Sequence, residues 1–329
     1  MDLSVCILTH NQPELLPKCI TSCIAEIGRS GISGEVIIVD NASEDSYPDK
    51  SRSLSPLVRV LRNEENVGFS AANNQAIRSS SGENVLILND DAMLEPESLR
   101  MMIRALESDV KAGAVGPLLV NPDGSAQRGY TNRRFPNIRG SLCPLLHLDR
   151  LFERTAFTRD LLTLSKDLER TGEAEHLAGA CLLVKRKALN DVGLFDEGFY
   201  YLYEDADLCY RLKTAGWRIL YLAEARVVHH GSASFKRTIR SERDTIVLTS
   251  LMYFFKKHSF AGRYFILKLC LTLVVGLRVP AAALLAAFQR HLTRQERWDL
   301  MRSSLKALRL VALEAPGTMR IRSRSGFHV

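Results

Sequence analysis

The chain has 329 residues, 46% of them hydrophobic and 25% charged, an ordinary balance for a soluble globular protein with room for one large domain or two smaller ones. Its seven cysteines are scattered, with no CxxC pair and no zinc-ligand spacing, which excludes a disulfide framework and suits a reducing cytosol. The net charge of +7 conceals an asymmetry: from Lys236 onward 18 Lys and Arg face 5 Asp and Glu, a net of +13 that leaves the first 235 residues at −6. That tail is apolar as well as basic, so it points to an anionic membrane surface rather than to nucleic acid.

Ser4–Thr9 is a short apolar run and predicts a buried strand. The opening "MDLSVCILTHN" enters that strand directly and reads as carrying no secretory leader. Asn11 is placed to cap a helix with Pro13 in its first turn. Leu15, Leu16, Cys19, Ile20, Cys23, Ile24 and Ile27 then recur at helical spacing. "EVIIVDNAS" repeats the scheme, with a strand over Glu35–Val39 and polar residues at its end. "LVRVLRN" predicts a third strand and "GFSAANNQAIRS" a helix opened by a glycine turn. "NVLILND" is a fourth strand, followed by a helix from near Pro96. "AGAVGPLLV" is a fifth, with the turn "NPDG" behind it. Residues 131–175 lack strong periodicity and read as an irregular, partly helical excursion. The pattern resumes with "HLAGACLLVKRKAL". A helix is predicted over Glu204–Lys213, and "RILYL" and "ARVVHHG" read as two further strands. After Ser234 the character changes to long basic, apolar helices, which divides the chain into 1–235 and 236–329.

Strands alternating with helices imply an α/β fold with a doubly wound, mostly parallel sheet. Ligands bind such sheets at the C-terminal strand ends. Here those ends carry Thr9-His10-Asn11, Asp40-Asn41-Ala42-Ser43 and Asn89-Asp90-Asp91. No strand is followed by GxGxxG and no GxxxxGK[ST] is present, so dinucleotide and P-loop binding lose their main support. In "LILNDDAML", polar residues follow a buried strand with no basic residue beside them. Carboxylates in such a place cost desolvation energy unless something positive meets them.

In order, "ILTHNQPELLPKCI", "IIVDNAS", "NVGFSAANNQAI", "LILNDDAML", "FYYLYEDADLCYRLKTAGW" and "VVHHGSAS" resemble a family 2 glycosyltransferase over roughly residues 3–235. Within that family they are most similar to the rhamnosyltransferase-like branch. The resemblance implies a GT-A fold, a nucleotide-diphosphate sugar donor, a divalent Mg²⁺ or Mn²⁺, and a lipid-linked or polysaccharide acceptor. The family's DxD motif falls on Asn89-Asp90-Asp91, with Asn in place of the usual first acid. Asp91 becomes the expected metal ligand and Asn89 a neutral carbonyl or ribose contact, since hard cations prefer carboxylate and phosphate oxygens. The resemblance also brings a histidine of "VVHHGSAS" to the metal, and the spacing to Ser234 favours His229 over His230. It makes Thr9, Asn11, Asp40, Gly68, Asn73, Asn89 and Asp90 the nucleotide-binding candidates. Asp40 is suited to accept the N3–H of a uracil or thymine ring, and Thr9 to reach the same base. Gly68 permits close backbone approach, and Asn73 or Asn74 lines the pocket.

The second acidic cluster is "YEDADLCYRL". On a helix Asp207 and Arg211 share a face, which leaves Asp205 or Glu204 for chemistry. By resemblance Asp205 is the catalytic base that takes the acceptor's hydroxyl proton. "RGYTNRRFP" offers Arg128, Arg133 and Arg134, of which Arg133 and Arg134 are candidates for a phosphate or the acceptor's pyrophosphate. A rhamnosyl donor on dTDP comes first and a UDP-hexose second. The place of action is the cytoplasm, peripherally on the inner face of the membrane. The competing expectations are a sugar nucleotidyltransferase, which would want a glycine-rich basic loop after the first strand, and a non-catalytic nucleotide-sugar or polysaccharide-binding protein.

Overall fold

The computed structural model describes residues 1–44, 47–127, 131–145, 168–231, 240–259, 261–288 and 294–313. Strands β1 (Leu3–Thr9), β2 (Gly34–Asp40), β3 (Val58–Arg62) and β4 (Asn84–Asn89) lie side by side in the order β3-β2-β1-β4, all parallel. β1, β2 and β4 are near-continuous apolar runs because both faces are covered, whereas the edge strand β3 alternates, with Arg59 and Arg62 exposed. Val5 and Ile7 of β1, with Leu86 and Leu88 of β4, enter the core layer formed with helices α1 (Leu16–Ser30) and α4 (Ser98–Ser108). Cys6, Val85 and Ile87 face the opposite layer, built with α3 (Phe69–Arg78), α6 (Arg186–Val192) and α7 (Glu204–Thr214). Two short helices, α2 (Tyr47–Lys50) and α5 (Ile138–Leu145), precede these last two in the chain.

Beyond β4 the sheet is mixed rather than mostly parallel. Strand β10 (Cys181–Lys185) runs antiparallel between β4 and β6 (Ala112–Val120). It enters from the excursion that contains the two-stranded ribbon of β7 (Asn132–Arg133) and β9 (His176–Leu177) and the short β8 (Gly172–Glu173). The two predicted strands after Trp217 are one, β11 (Arg218–His229), parallel to β6 with a register shift between Leu222 and Arg226. The extra residues at that bulge break the period of two without ending the strand. A three-residue strand, β5 (Ala92–Leu94), pairs antiparallel with the end of β11 and is too short to leave a periodic signal.

One helix start also differs from expectation, and the helix expected from near Pro96 is found two residues on. Asn11 does not cap α1: it sits at φ +52° in the loop, and the helix begins at Leu16 with Pro17 in its first turn. Helix α4 starts at Ser98, after Glu97 at φ +70°.

The C-terminal region folds as α8 (Arg240–His258), α9 (Ala261–Phe288) and α10 (Arg294–Leu313). The point at which the charge pattern divides the chain, near Ser234, lies outside the described residues. Leu251, Phe254 and Phe255 of α8, Leu267, Leu271 and Val275 of α9, and Leu310 and Val311 of α10 bury together with Phe199 and Ala206 of the sheet-bearing part. Polar contacts fix the same junction: Lys257 of α8 lies 2.6 Å from Asp196 and 2.7 Å from Asp207. Helix α9 runs through Pro280 without ending.

Candidate active site

The C-terminal ends of β1, β2 and β4 sit side by side, because Leu8 pairs with both Val39 and Asn89. Asp91 follows β4 and is buried, at 3% exposure. Its Oδ1 lies 3.3 Å from Nε2 of His229, the last residue of β11. The backbone explains the approach: His229 pairs with Ala92 across β5 and β11, and the His230 N–H donates to the Asp91 carbonyl at 3.0 Å. It is therefore His229, not His230, whose ring meets Asp91.

Gln127 sets the state of that ring. Its amide nitrogen donates to the Asn121 Oδ1 at 2.8 Å and the His229 carbonyl at 2.5 Å, which fixes its oxygen toward His229 Nδ1 at 2.8 Å. A proton accordingly sits on Nδ1, and Nε2 is the ring atom that faces Asp91. A carboxylate oxygen and an imidazole nitrogen converging in a buried place would suit a divalent cation. Among the described residues no group of three or more His, Cys, Asp and Glu could hold a metal ion. Gln127 carries no sequence signal beyond its place after the "NPDG" turn.

Asp90 turns the other way. Its Oδ2 accepts the Thr9 hydroxyl at 2.7 Å. Burial first, then the neighbouring Asp91 carboxylate, pushes its carboxyl up to about 8. Thr9, assigned in sequence to the base, spends its proton on Asp90 and ties β1 to β4. Asn89 keeps a partly exposed side chain at the end of β4.

Asp40 is fully buried at the end of β2. One oxygen accepts the Ser43 N–H at 2.9 Å. The other, Oδ2, lies 3.5 Å from Arg62 and has no hydrogen-bond partner among the described residues. That leaves an acceptor for a planar N–H donor such as a pyrimidine N3. Asn11 braces the neighbouring loop, donating its N–H to Ser43 Oγ at 2.9 Å and accepting the Glu44 N–H at 2.8 Å.

At Gly68 the close approach is to the protein itself: at φ +86° an added Cβ would stand 2.6 Å from the Tyr200 ring, so the position requires glycine. Asn73 and Asn74 are both buried. Asn73 donates within its own helix to the Phe69 carbonyl, at 3.0 Å. Asn74 clamps Phe195, donating to its carbonyl at 2.9 Å and accepting its N–H at 3.0 Å.

The second acidic cluster opens α7. Leu202 and Tyr203 before it both lie at φ +69°, a left-handed geometry that costs roughly 1–3 kcal/mol per residue and collects at functional sites. Asp205 accepts the Gly179 N–H on Oδ2 at 3.0 Å and the Ala206 N–H on Oδ1 at 2.7 Å. His176 Nε2 lies 3.2 Å from the same Oδ1. Burial would raise the Asp205 carboxyl, but the His176 charge, followed by these hydrogen bonds, brings it down to about 2. Glu204 behaves oppositely: burial and then the Asp205 charge push it well above the ordinary value, and its Oε2 has no hydrogen-bond partner among the described residues. Two adjacent carboxyls pushed apart in this way divide into an ionised group and a protonated one. Asp207 pairs with Arg211 at 2.8 Å, as the spacing predicts, and also with His258 at 2.6 Å.

Of the basic candidates, Arg128 lies outside the described residues. Arg133 is on β7, and Arg134 is exposed beside it. His176 was absent from the sequence candidates, because a lone histidine before an apolar strand carries no motif.

The mixed sheet covered on both faces, with acidic clusters at its C-terminal edge, defines a GT-A fold. Two solved structures share it: a mannosyltransferase from Pyrobaculum calidifontis in complex with GDP-Man and Mn²⁺ (TM-score 0.53, 20% identity, 94% of this chain and 86% of that one), and GalNAc-T7 with UDP, GalNAc and Mn²⁺ (TM-score 0.53, 17% identity, 78% of this chain and 50% of that one). Residues 4–193 match the model of glycosyl transferase family 2. A rhamnosyltransferase of Mycobacterium tuberculosis, N-acetylglucosaminyl-diphospho-decaprenol L-rhamnosyltransferase, is 32% identical over 240 residues, 68% of this chain and 75% of that protein. The O-antigen biosynthesis protein RfbC of Myxococcus xanthus is 26% identical over 253 residues, 74% of this chain and 18% of that protein. The chain belongs to glycosyl transferase family 2, and its expected resemblance to the rhamnosyltransferase branch is borne out.

Proposed function

We propose that the protein is an inverting glycosyltransferase that moves rhamnose, or failing that a hexose, from a dTDP- or UDP-linked donor to a lipid-linked or polysaccharide acceptor. The observation that carries this reading is the pairing of two differently tuned acidic sites at one sheet edge, Asp91 with His229 and Asp205 with His176. Asp91 and His229 are the side chains to hold a Mg²⁺ or Mn²⁺, which when bound neutralises the donor's diphosphate. Asp40 takes the pyrimidine N3–H on its buried oxygen, which has no hydrogen-bond partner among the described residues, and Asn89 and Asn11 are the polar side chains assigned to the same nucleotide. Arg133 and Arg134 stand as contacts for the diphosphate or the acceptor.

Asp205 is the base. The acceptor oxygen forms a bond to the anomeric carbon as its proton passes to the Asp205 carboxylate. The bond from that carbon to the diphosphate oxygen breaks, and the electron pair leaves on the nucleotide. One displacement inverts the anomeric centre. The relative from Mycobacterium tuberculosis carries a lipid-linked substrate in its name, which supports the acceptor class. Residues 1–235 form the catalytic unit in this reading, and residues 236–329 its membrane-facing extension.

No described helix is long and apolar enough to cross a membrane. Helix α9 is nevertheless apolar on two sides. Leu267, Leu271 and Val275 are buried, while Phe265, Leu269, Leu273 and Leu277 are 67%, 51%, 60% and 68% exposed. Exposed Arg263, Arg302, Lys306 and Arg309 belong to α9 and the adjacent α10. An apolar stripe with basic flanks suits an anionic cytoplasmic leaflet, where a lipid-linked acceptor is presented.

Thermal-shift titration of dTDP, UDP and their sugars, each with Mn²⁺ or with EDTA, tests the donor class. A ligand that binds only the folded chain raises its melting temperature. Stabilisation by dTDP or UDP that requires the metal is the expected result, and its absence for every pyrimidine nucleotide removes the donor assignment.

A further inference from the structure

The first turn of α7 holds three acids in four residues: Glu204, Asp205 and Asp207. Like charges this close cannot all ionise without countercharges. Asp207 has three, in Arg211, Lys257 and His258. Glu204 has none within ion-pair distance among the described residues, and it is enclosed at 5% exposure. For Asp205 the basic side chain at ion-pair distance is His176.

His176 is 4% exposed and sits on the two-residue strand β9, held by its pairing with β7. Its Nε2 is 3.2 Å from Asp205 Oδ1, yet neither ring nitrogen has an aligned hydrogen-bond partner among the described residues. Burying an imidazole without hydrogen bonds is costly, and pairing its charge with a carboxylate is the compensation this position offers. The carboxylate is in turn clasped by the Gly179 and Ala206 N–H groups.

We propose that His176 is a positioning residue for sugar transfer: as an imidazolium it keeps the Asp205 carboxylate ionised and fixed against those two N–H groups, ready to take the acceptor's proton. This rests on Asp205 being the base. His176 itself neither takes the proton nor touches the donor. Among the described residues the charged and titratable groups around the pair are Glu204, Asp207 and Cys209 on α7, and Arg133 of β7 lies opposite His176 in the ribbon. Lys257 and His258 of α8 are engaged by Asp207 instead.

The test is a carboxyl ¹³C NMR titration of the unmodified chain and of His176→Gln, which keeps a polar side chain and removes the charge. The Asp205 signal is assigned by its loss in Asp205→Asn. In the unmodified chain Asp205 is expected to titrate below the ordinary carboxylate range. In His176→Gln its midpoint should rise by about 1–3 pH units, the size of one opposite charge at this distance. The acid limb of kcat/KM should move to higher pH with it, while donor KM stays unchanged. An Asp205 that titrates in the ordinary range in the unmodified chain overturns the inference even where His176→Gln does not fold. A midpoint that does not move in a folded His176→Gln overturns it as well. The two failures are separable: near-normal turnover by Asp205→Asn removes the base itself, whereas an inactive Asp205→Asn with an unmoved midpoint removes only the part played by His176.

Discussion

Gly179 donates its backbone N–H to Oδ2 of Asp205 at 3.0 Å, and the next residue, Ala180, accepts the N–H of Asn89 at 3.0 Å. One short stretch of main chain thus ties the second acidic cluster to the first. Acidic motifs more than a hundred residues apart in sequence share a rigid strut, and rigid support is what a two-part active site needs.

The proposed metal-binding pair, Asp91 and His229, depends on the orientation of the His229 ring. Gln127→Ala removes the acceptor at Nδ1 and frees the ring to turn. Mn²⁺ affinity, measured by calorimetry with dTDP or UDP present, is expected to fall by about 10–100-fold, the usual effect of deleting such a support. Asp91→Ala should remove metal-dependent nucleotide binding altogether.

Asp40 keeps one buried carboxylate oxygen without a hydrogen-bond partner among the described residues, and the proposed function gives that oxygen to the nucleotide base. Asp40→Asn can offer a donor there instead. Its affinity for dTDP and UDP should drop by about 1.5–3 kcal/mol, the worth of a hydrogen bond to a charged group, while GDP is affected least. Competition binding reads this directly, and an equal loss for all three nucleotides contradicts base recognition by Asp40.

Asp207 holds the C-terminal helices to α7. Its side chain is fully buried between Arg211, Lys257 and His258. Asp207→Ala removes the acceptor that Arg211, Lys257 and His258 share, while Arg211 keeps the Val192, Gly193 and Leu194 carbonyls and Lys257 keeps Asp196; urea unfolding should show a loss of about 1–3 kcal/mol. The pH dependence follows from sign. Burial alone would raise the Asp207 carboxyl; the His258 hydrogen bond and then the Arg211 charge more than offset that and hold it below its ordinary value. A depressed folded value contributes stability that is complete above the unfolded value of about 3.9 and is lost as pH falls through the folded one. Acid unfolding monitored by circular dichroism should therefore be less steep in Asp207→Ala than in the unmodified chain.

The exposed stripe on α9 gives the membrane reading a narrow test. Leu269→Glu with Leu273→Glu places charge on the outer face and leaves Leu267 and Leu271, the buried face, untouched. The unmodified chain should float with anionic liposomes at low salt and release as salt rises, and the double variant should stay in solution with its nucleotide binding intact. A dimer that dissociates in the double variant, with no liposome binding in either, would instead assign the stripe to a second copy of the chain.

The parallel half of the sheet was legible because β1, β2 and β4 are apolar runs with polar residues at their ends and β3 alternates as an edge strand does. Strand β10 was read as a resumption of the pattern, but nothing in "CLLVK" declares that it runs antiparallel. The bulge in β11 disguised one strand as two, and β5 is too short for any period. Within the site, Asp91, His229, Asp205 and the Asp207–Arg211 pair stand in the ordered motifs or at helical spacing. Gln127 and His176 act through partners 102 and 29 residues away in sequence, and a contact of that kind leaves no local trace. Thr9 was read by its strand-end position alone, which does not reveal that Asp90 already takes its hydroxyl proton.

The most direct test of the account is Asp205→Asn, assayed for donor binding and for sugar transfer on the same preparation. The substitution keeps the size of the side chain and removes the negative charge that accepts the proton. The account predicts metal-dependent binding of the nucleotide sugar close to that of the unmodified chain, with transfer reduced by about 10²–10⁴-fold, the usual range for loss of a general base. Near-normal transfer by Asp205→Asn would contradict it.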